Sequence, residues 1–203
     1  MVPIGSGPVA PSFKTPLDFT PDVSADEQAS LQSQFATVQS TLTSNAKDFD
    51  AWIALGNLRK QAGDYVGAAA DWKYALAIYP QNVVSNANLA DLYTNYLHDY
   101  PKAAAAYKAQ IAIDPTDVYI YQNLFQLYTS QFPQPSATII AMLKQGIAAN
   151  PKDISLMSTL AGYYKSTGDS ADAKTEYAAA IASARAQSNQ QAVTQLQQES
   201  LGL

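Results

Sequence analysis

His98 is the single histidine in a chain of 203 residues that has no cysteine. An imidazole works as a general base only with a nucleophile or substrate site around it, and nothing beside His98 and its neighbour Asp99 signals either. The pattern reads as a solvated loop residue. With one imidazole and no thiolate, a zinc site would have to be built mostly from carboxylates, and no acidic cluster has such spacing. Asp48, Asp50 and Asp64 come nearest, but they read better as acids at helix starts, where the macrodipole favours negative charge. Neither a glycine-rich phosphate loop nor a Gly-x-Ser-x-Gly elbow is present. These residues predict no enzyme, no metal and no cofactor.

The elements that would position any binding residue are those of a globular chain, since 47% of the residues are hydrophobic. Only 14% are charged, against roughly 25% in an average soluble domain, so the polar surface must be built largely from Gln, Asn, Ser and Thr. The net charge is −5 and the cations are scattered singly. No basic stripe exists to neutralise a phosphate backbone, which argues against nucleic acid as a partner. No apolar run reaches the length of about 18 residues that a membrane span requires. The opening MVPIGSGPVAPSF lacks a charged leader and an apolar core, so it does not read as a signal peptide. Low charge with a proline-rich start resembles an extracytoplasmic domain held by an N-terminal anchor lying outside this sequence, with a cytoplasmic chain as the alternative.

Pro3, Pro8, Pro11, Pro16 and Pro21 leave no room for helix or central strand, so residues 1–23 are expected to form an extended tail or tether. Ser24 with Glu27 is a capping-box signal, and Leu31, Phe35, Val38 and Leu42 follow at helical spacing. A capping helix is predicted over 24–46. Beyond it the sequence repeats. Pro80, Pro115 and Pro151 stand 35 and 36 residues apart, and each is followed nine positions later by a leucine: Leu89, Leu124 and Leu160. Ala68, Ala103 and Ile139 begin the second apolar stripe of each repeat. Between the two stripes the spacing varies: nine residues from Arg59 to Ala68, ten from Tyr93 to Ala103, eleven from Tyr128 to Ile139, nine from Tyr164 to Ala173. Slack confined to that place predicts pairs of antiparallel helices whose turns absorb the insertions. Gly63-Asp64 and Gly168-Asp169 supply tight turns, and Asp114-Pro115 and Asn150-Pro151 stop the second helices.

Trp52-x-x-Leu55-Gly56, followed by Ala68-x-x-x-Trp72, Ala75 and Pro80, resembles the tetratricopeptide signature, with Arg59 where an aromatic is usual. Looser versions run through Leu89, Ala90, Tyr93 and Tyr107, through Tyr121, Leu124, Phe125, Tyr128 and Gly146, and through Leu160, Ala161, Tyr164 and Tyr177. Four repeats then cover 49–185, at about 49–82, 83–117, 118–153 and 154–187. Val193 and Leu196 mark a polar-faced capping helix within 188–203. The fold class implied is all-α, a right-handed α-α superhelix of helix pairs in which large side chains fill the gaps left by Ala or Gly.

The resemblance further implies a non-catalytic scaffold that binds a peptide or partner-protein segment in a concave groove lined by first helices. Carried over by register, the lining is Asp50, Ile53, Asn57, Lys60 and Gln61 in the first repeat and Val84, Ala87, Asn88, Asp91 and Asn95 in the second. The third contributes Tyr119, Gln122, Asn123, Gln126 and Thr129, and the fourth Ser155, Ser158, Thr159 and Lys165. This lining is mostly neutral and amide-rich, and Asn and Gln can donate and accept together, as recognition of a peptide backbone requires. The alternative is that these residues are simply solvated helix positions. A subgroup of the family grips acidic chaperone tails through lysines, an arginine and asparagines. Asn57 and Asn88 match its asparagines, but Ile53, Tyr119 and Asn123 replace its cations, so no charge-assisted grip on a carboxylate is expected. A second reading is self-association through exposed Tyr65, Tyr96 and Tyr100.

Overall fold

A computed structural model describes residues 9–203, so the first eight residues of the expected tail lie outside the description. Ten α-helices and one π-helical turn account for the regular structure among the described residues. They divide into two compact units, with the boundary between Ile113 and Asp114, near the expected end of the second repeat.

The N-terminal unit holds α1 (Ala25–Ser44), α2 (Phe49–Ala62), α3 (Tyr65–Ile78), α4 (Val83–Asn95) and α5 (Tyr100–Ile113). Local chemistry starts and stops these helices. The side chains of Ser24, Asp48, Asp64 and Asn82 accept the amides of Glu27, Ala51, Gly67 and Ser85 respectively, satisfying donors that a first turn leaves free. Gly63 ends α2 at φ 93°, the left-handed cap that glycine adopts without a Cβ penalty. The small-large pairing is literal: a Cβ on Gly56 would lie 2.4 Å from Trp72 Nε1, which instead donates to Ile53 O at 3.2 Å. Trp52 packs on Tyr74 with ring centroids 4.7 Å apart and donates to Ala46 O at 3.0 Å. His98 sits in the α4–α5 turn, exposed, at φ 50°.

Residues 9–23 contain neither helix nor strand, but they are held against the unit rather than trailing from it. Thr20 N–H donates to Ala62 O at 2.9 Å and Gln39 Nε2 to Phe13 O at 3.0 Å. Phe13, Leu17 and Phe19 pack on the core formed by Leu31, Phe35, Trp52 and Tyr74. The anchor is Arg59, buried, with Nη2 donating to Ser12 O and Nη1 to Asp71 Oδ1 at 3.0 Å. An arginine in the aromatic position of the signature thus ties a distant segment to the helix pair. Asp71 Oδ2 is buried without a partner.

The C-terminal unit holds α6 (Val118–Gln126), a π turn (Leu127–Gln131), α7 (Ser136–Ala149), α8 (Ile154–Ser166), α9 (Ser170–Ala186) and α10 (Gln190–Glu199). Small-large pairing recurs: a Cβ on Gly146 would meet Tyr121 Cγ at 2.9 Å, and the Tyr121 hydroxyl donates to Pro115 O at 3.1 Å. Asp153, Asp169 and Asn189 cap α8, α9 and α10. Val193 and Leu196 are buried against Met157, Tyr177, Ala180 and Ala184, so α10 covers the last pair with its apolar stripe. One expectation needs correction. The eleven-residue spacing in the third repeat is not absorbed by the turn alone, because the first helix itself widens into the π turn, where Phe132 N–H reaches Leu127 O at 2.8 Å. Pro133 and Pro135 lack the amides to continue any helix, so the extra residue is taken up inside the last helical turn.

Candidate protein-binding surfaces

In the N-terminal unit the first-helix residues meet as one ladder across α2 and α4. The Lys60 ammonium pairs with Asp91 Oδ2 and lies 4.6 Å from the centroid of the Tyr96 ring. Asn95 Nδ2 donates to Asp91 Oδ1 at 2.7 Å, and Asn88 Nδ2 reaches Asn57 Oδ1 at 3.4 Å. Gln61 Nε2 turns back to Asn57 O at 3.3 Å. The unit's one surface cation on this ladder is therefore neutralised in place, while Asn57, Gln61 and Asn95 remain exposed.

In the C-terminal unit Tyr119 is 75% exposed on the first turn of α6, its amide held by the Asp117 carboxylate at 3.0 Å. Asn123 and Gln126 are exposed along the same helix, and Gln122 Nε2 donates to Ser155 Oγ at 3.0 Å on α8. Ser158 and Lys165 have a different employment. Ser158 Oγ donates to Glu199 Oε2 at 3.2 Å, and Lys165 Nζ donates to the carbonyls of Glu199, at 2.5 Å, and Leu201, at 3.0 Å. A lysine on the free carbonyls that end a helix complements the negative end of its macrodipole, so Lys165 fastens α10.

The same unit contains a cleft of about 650 Å³ at the π turn. Its floor is buried Tyr128 and Ile139; its walls include Phe125 and Tyr163, and Thr129, Ser166, Pro133 and Gln134 rim it. The Phe125 and Tyr163 rings meet edge-on, 5.8 Å apart at 88°. Register mapping placed Thr129 and Thr159 on a lining but missed this cleft. Its signals were present: Phe125 occupies the register position of Gly56, Ala90 and Ala161, beside the longest turn spacing. Among the described residues no group of three or more His, Cys, Asp or Glu is placed to hold a metal ion, and no helix is long and apolar enough to cross a membrane.

Capped antiparallel pairs with small-large interlocking define the fold as tetratricopeptide-type, in the all-α class of the α-α superhelix. Solved structures agree. The chain is similar to MamA (residues 41 to the end) from Desulfovibrio magneticus RS-1, with TM-score 0.54 and 16% identity over 79% of this chain and 89% of that one. It is similar to YrrB, a tetratricopeptide protein described as having an unusual peptide-binding site, with TM-score 0.51 and 13% identity over 81% and 90% of the two chains. It is also similar to PilF of Pseudomonas aeruginosa, with TM-score 0.51 and 13% identity over 84% and 82%. No protein-family model and no curated protein sequence matches the chain.

Proposed function

We propose that the chain is a non-catalytic interaction scaffold that binds a peptide or partner-protein segment on the first-helix faces of its repeats. The observation that carries this reading is the set of exposed neutral groups along the first helices: Asn57 and Asn95 in one unit, Tyr119, Asn123 and Gln126 in the other, with Asn57 and Gln126 at equivalent register. Each stands on a helix whose opposite face is buried. Amides there can both donate to and accept from an extended backbone, and the exposed Tyr119 ring offers apolar area with little entropy to lose. The fold shared with YrrB adds support.

Affinity capture from the native host, followed by the affinity of the recovered partner for Asn88→Ala/Asn123→Ala, tests this. Equal affinity for that variant and the parent would move binding elsewhere. Self-association is the second reading; of the three tyrosines expected to serve it only Tyr96 is exposed, at 41%, while Tyr65 and Tyr100 are half-buried, and exposed Val66 and Val84 supply the remaining apolar area. Light scattering across a dilution series separates the two, because only self-association makes mass depend on concentration.

A further inference from the structure

The cleft at the π turn lies where two helices end. Thr129 belongs to the π turn that closes the first helix of the third repeat, and Gly162, Tyr163 and Ser166 belong to the end of α8. Both walls are therefore negative poles of helix macrodipoles. The π turn has no basic residue, and Lys165, the cation in the last turn of α8, is held by the carbonyls of Glu199 and Leu201. At the π turn one carbonyl also lacks its helical donor. Phe132 N–H reaches Leu127 O at 2.8 Å and Gln134 N–H reaches Tyr128 O at 3.1 Å. Thr129 O would next need the amide of residue 133, which is proline and has none. Of α7 only Ile139 lines the cleft, and its N–H is bonded to Pro135 O at 3.3 Å, so the positive pole of that helix is not presented there.

The side chains around the cleft add acceptors rather than donors. Thr129 Oγ1 donates to Phe125 O at 2.9 Å, Thr159 Oγ1 to Ser155 O at 2.8 Å, Ser166 Oγ to Tyr163 O at 2.7 Å and the Tyr163 hydroxyl to Ser136 Oγ at 3.1 Å. Gln134 Nε2 donates to Phe132 O and Pro133 O, at 3.2 and 3.3 Å. A hydroxyl has one proton to give, so what these groups keep for a ligand is their lone pairs and the Gln134 Oε1 oxygen. None of the lining side chains is a cation or a carboxylate. The Phe125 and Tyr163 rings touch edge-on and form one aromatic wall, against which a ligand lies rather than between them.

Such a lining selects a ligand that donates without accepting and carries positive charge. A peptide backbone or a carboxamide brings a carbonyl with its amide, and that carbonyl would find no donor here. Arginine has five N–H donors and no acceptor, and its flat, weakly hydrated guanidinium stacks on aromatic rings. A lysine ammonium is also donor-only, but it is compact and strongly hydrated, which suits an aromatic wall less well. Thr129, Pro133 and Ser166 are exposed, so a cation at this rim keeps part of its water and avoids the full cost of burying a charge.

We infer that the cleft at the π turn receives an arginine side chain of a partner protein, with the guanidinium on the acceptors at the two helix ends and against the aromatic wall of Phe125 and Tyr163. This rests on the protein-binding reading above and names the anchor residue for the C-terminal unit.

The test is an amide NMR titration of the full chain with the blocked peptide acetyl-Gly-Gly-Arg-Gly-Gly-amide. Parallel titrations replace the arginine with lysine, with glutamate, or with citrulline, which is neutral, nearly isosteric and carries a carbonyl. Saturable shifts at Thr129, Gly162, Tyr163 and Ser166 are expected with arginine, weaker ones with lysine, and none with citrulline or glutamate. Two charge changes at the exposed rim should move binding in opposite directions: Ser166→Lys weakens it and Ser166→Asp strengthens it, each by about threefold to fivefold. Circular dichroism and thermal midpoints establish that the variants fold, and Thr129→Lys repeats the test should a Ser166 variant fold poorly. Asn88→Ala/Asn123→Ala, at positions outside the lining, should bind the arginine peptide as the parent does. Absence of saturable shifts, equal shifts with citrulline, or equal binding by folded Ser166→Lys and Ser166→Asp overturns the inference. Shifts confined to α2 and α4 overturn it too, while leaving the first-helix surface reading intact.

Discussion

Arg59 and Asp71 form a buried ion pair, Nη1 to Oδ1 at 3.0 Å, inside the first tetratricopeptide helix pair, with the same guanidinium reaching Ser12 O on the N-terminal segment. A second acid, Asp64, stands 3.8 Å from Arg59 Nε. Removing Arg59 strands the Asp71 carboxyl in the interior without its cation, which costs about 3–5 kcal/mol where that carboxyl is ionised. Arg59→Met is expected to lose stability on that scale, and Arg59→Met/Asp71→Leu to regain most of it, because an apolar replacement of both partners removes the uncompensated charge. Urea unfolding of the two singles and the double, closed as a cycle, measures the coupling. Release of Ser12 in the arginine variant should also free the amide of Thr20 to exchange with solvent.

The same pair sets a pH dependence. Burial pushes the Asp71 carboxyl up to about 7, opposed by Arg59 and aided by Asp64. A carboxyl whose pKa is higher folded than unfolded binds its proton more tightly in the folded state. Its contribution is therefore fully present below the unfolded value near 4 and is lost as pH rises through about 7. Asp99 and Asp114 have the opposite sense: hydrogen bonds from Lys102 and Thr116 hold them below the ordinary carboxylate range, so their stabilisation is present above that range and fades in stronger acid. Between about pH 5 and about pH 7 stability should fall by about 2 kcal/mol on account of Asp71. Denaturant midpoints across that window, in the parent and in Asp71→Asn, check this; an unchanged slope in the variant would assign the dependence to another group.

Trp72 is 1% exposed and its indole lies on the bare backbone of Gly56. Trp72→Ala should cost about 3–5 kcal/mol. Gly56→Ala adds an atom where the indole nitrogen stands at 2.4 Å and should destabilise despite alanine's better helix propensity, by about 1–3 kcal/mol. The contrasting change is Gly162→Ala, where the space is open and stability should rise by about 0.5–1 kcal/mol. Thermal or urea unfolding of the three variants gives the ordering directly.

For a recovered partner, Asn88→Ala/Asn123→Ala is expected to lose about 0.5–1.5 kcal/mol per hydrogen bond broken. Lys73→Ala, outside the mapped lining, should leave affinity unchanged. Since Lys60 is already neutralised by Asp91, affinity should fall only modestly as salt is raised. Titration calorimetry over a salt series separates this from a charge-driven interface.

Lysine at position 165 illustrates a different limit of register mapping. Its spacing put it on the lining, yet its ammonium sits on the last carbonyls of α10, residues more than thirty positions away in the chain. Lys165→Met should loosen α10 locally, seen as faster amide exchange at Val193 and Leu196, without unfolding the α8–α9 pair.

Helix starts, helix stops and the repeat were determined by the sequence alone, because each depends on groups a few residues apart. Asp48 caps the amide of Ala51, Asp153 that of Leu156, and Gly63 turns the chain at φ 93°. Gly56 with Trp72 and Gly146 with Tyr121 were legible too, since a fixed repeat converts sequence distance into contact across a pair. Where a side chain had several partners within reach, only the tertiary structure decided. Arg59 took Asp71 and Ser12 over solvent, so the proline-rich lead-in, expected as a tether, is fastened from Ser12 to Thr20. Lys60 turned to Asp91, Lys165 to α10, and the eleven-residue spacing became a π turn with a cleft beside it. The physical reason is the same in each case: capping and small-large pairing are short-range and nearly obligatory, whereas a long cation, an irregular segment and a widened helical turn choose among near-equal alternatives that packing alone resolves.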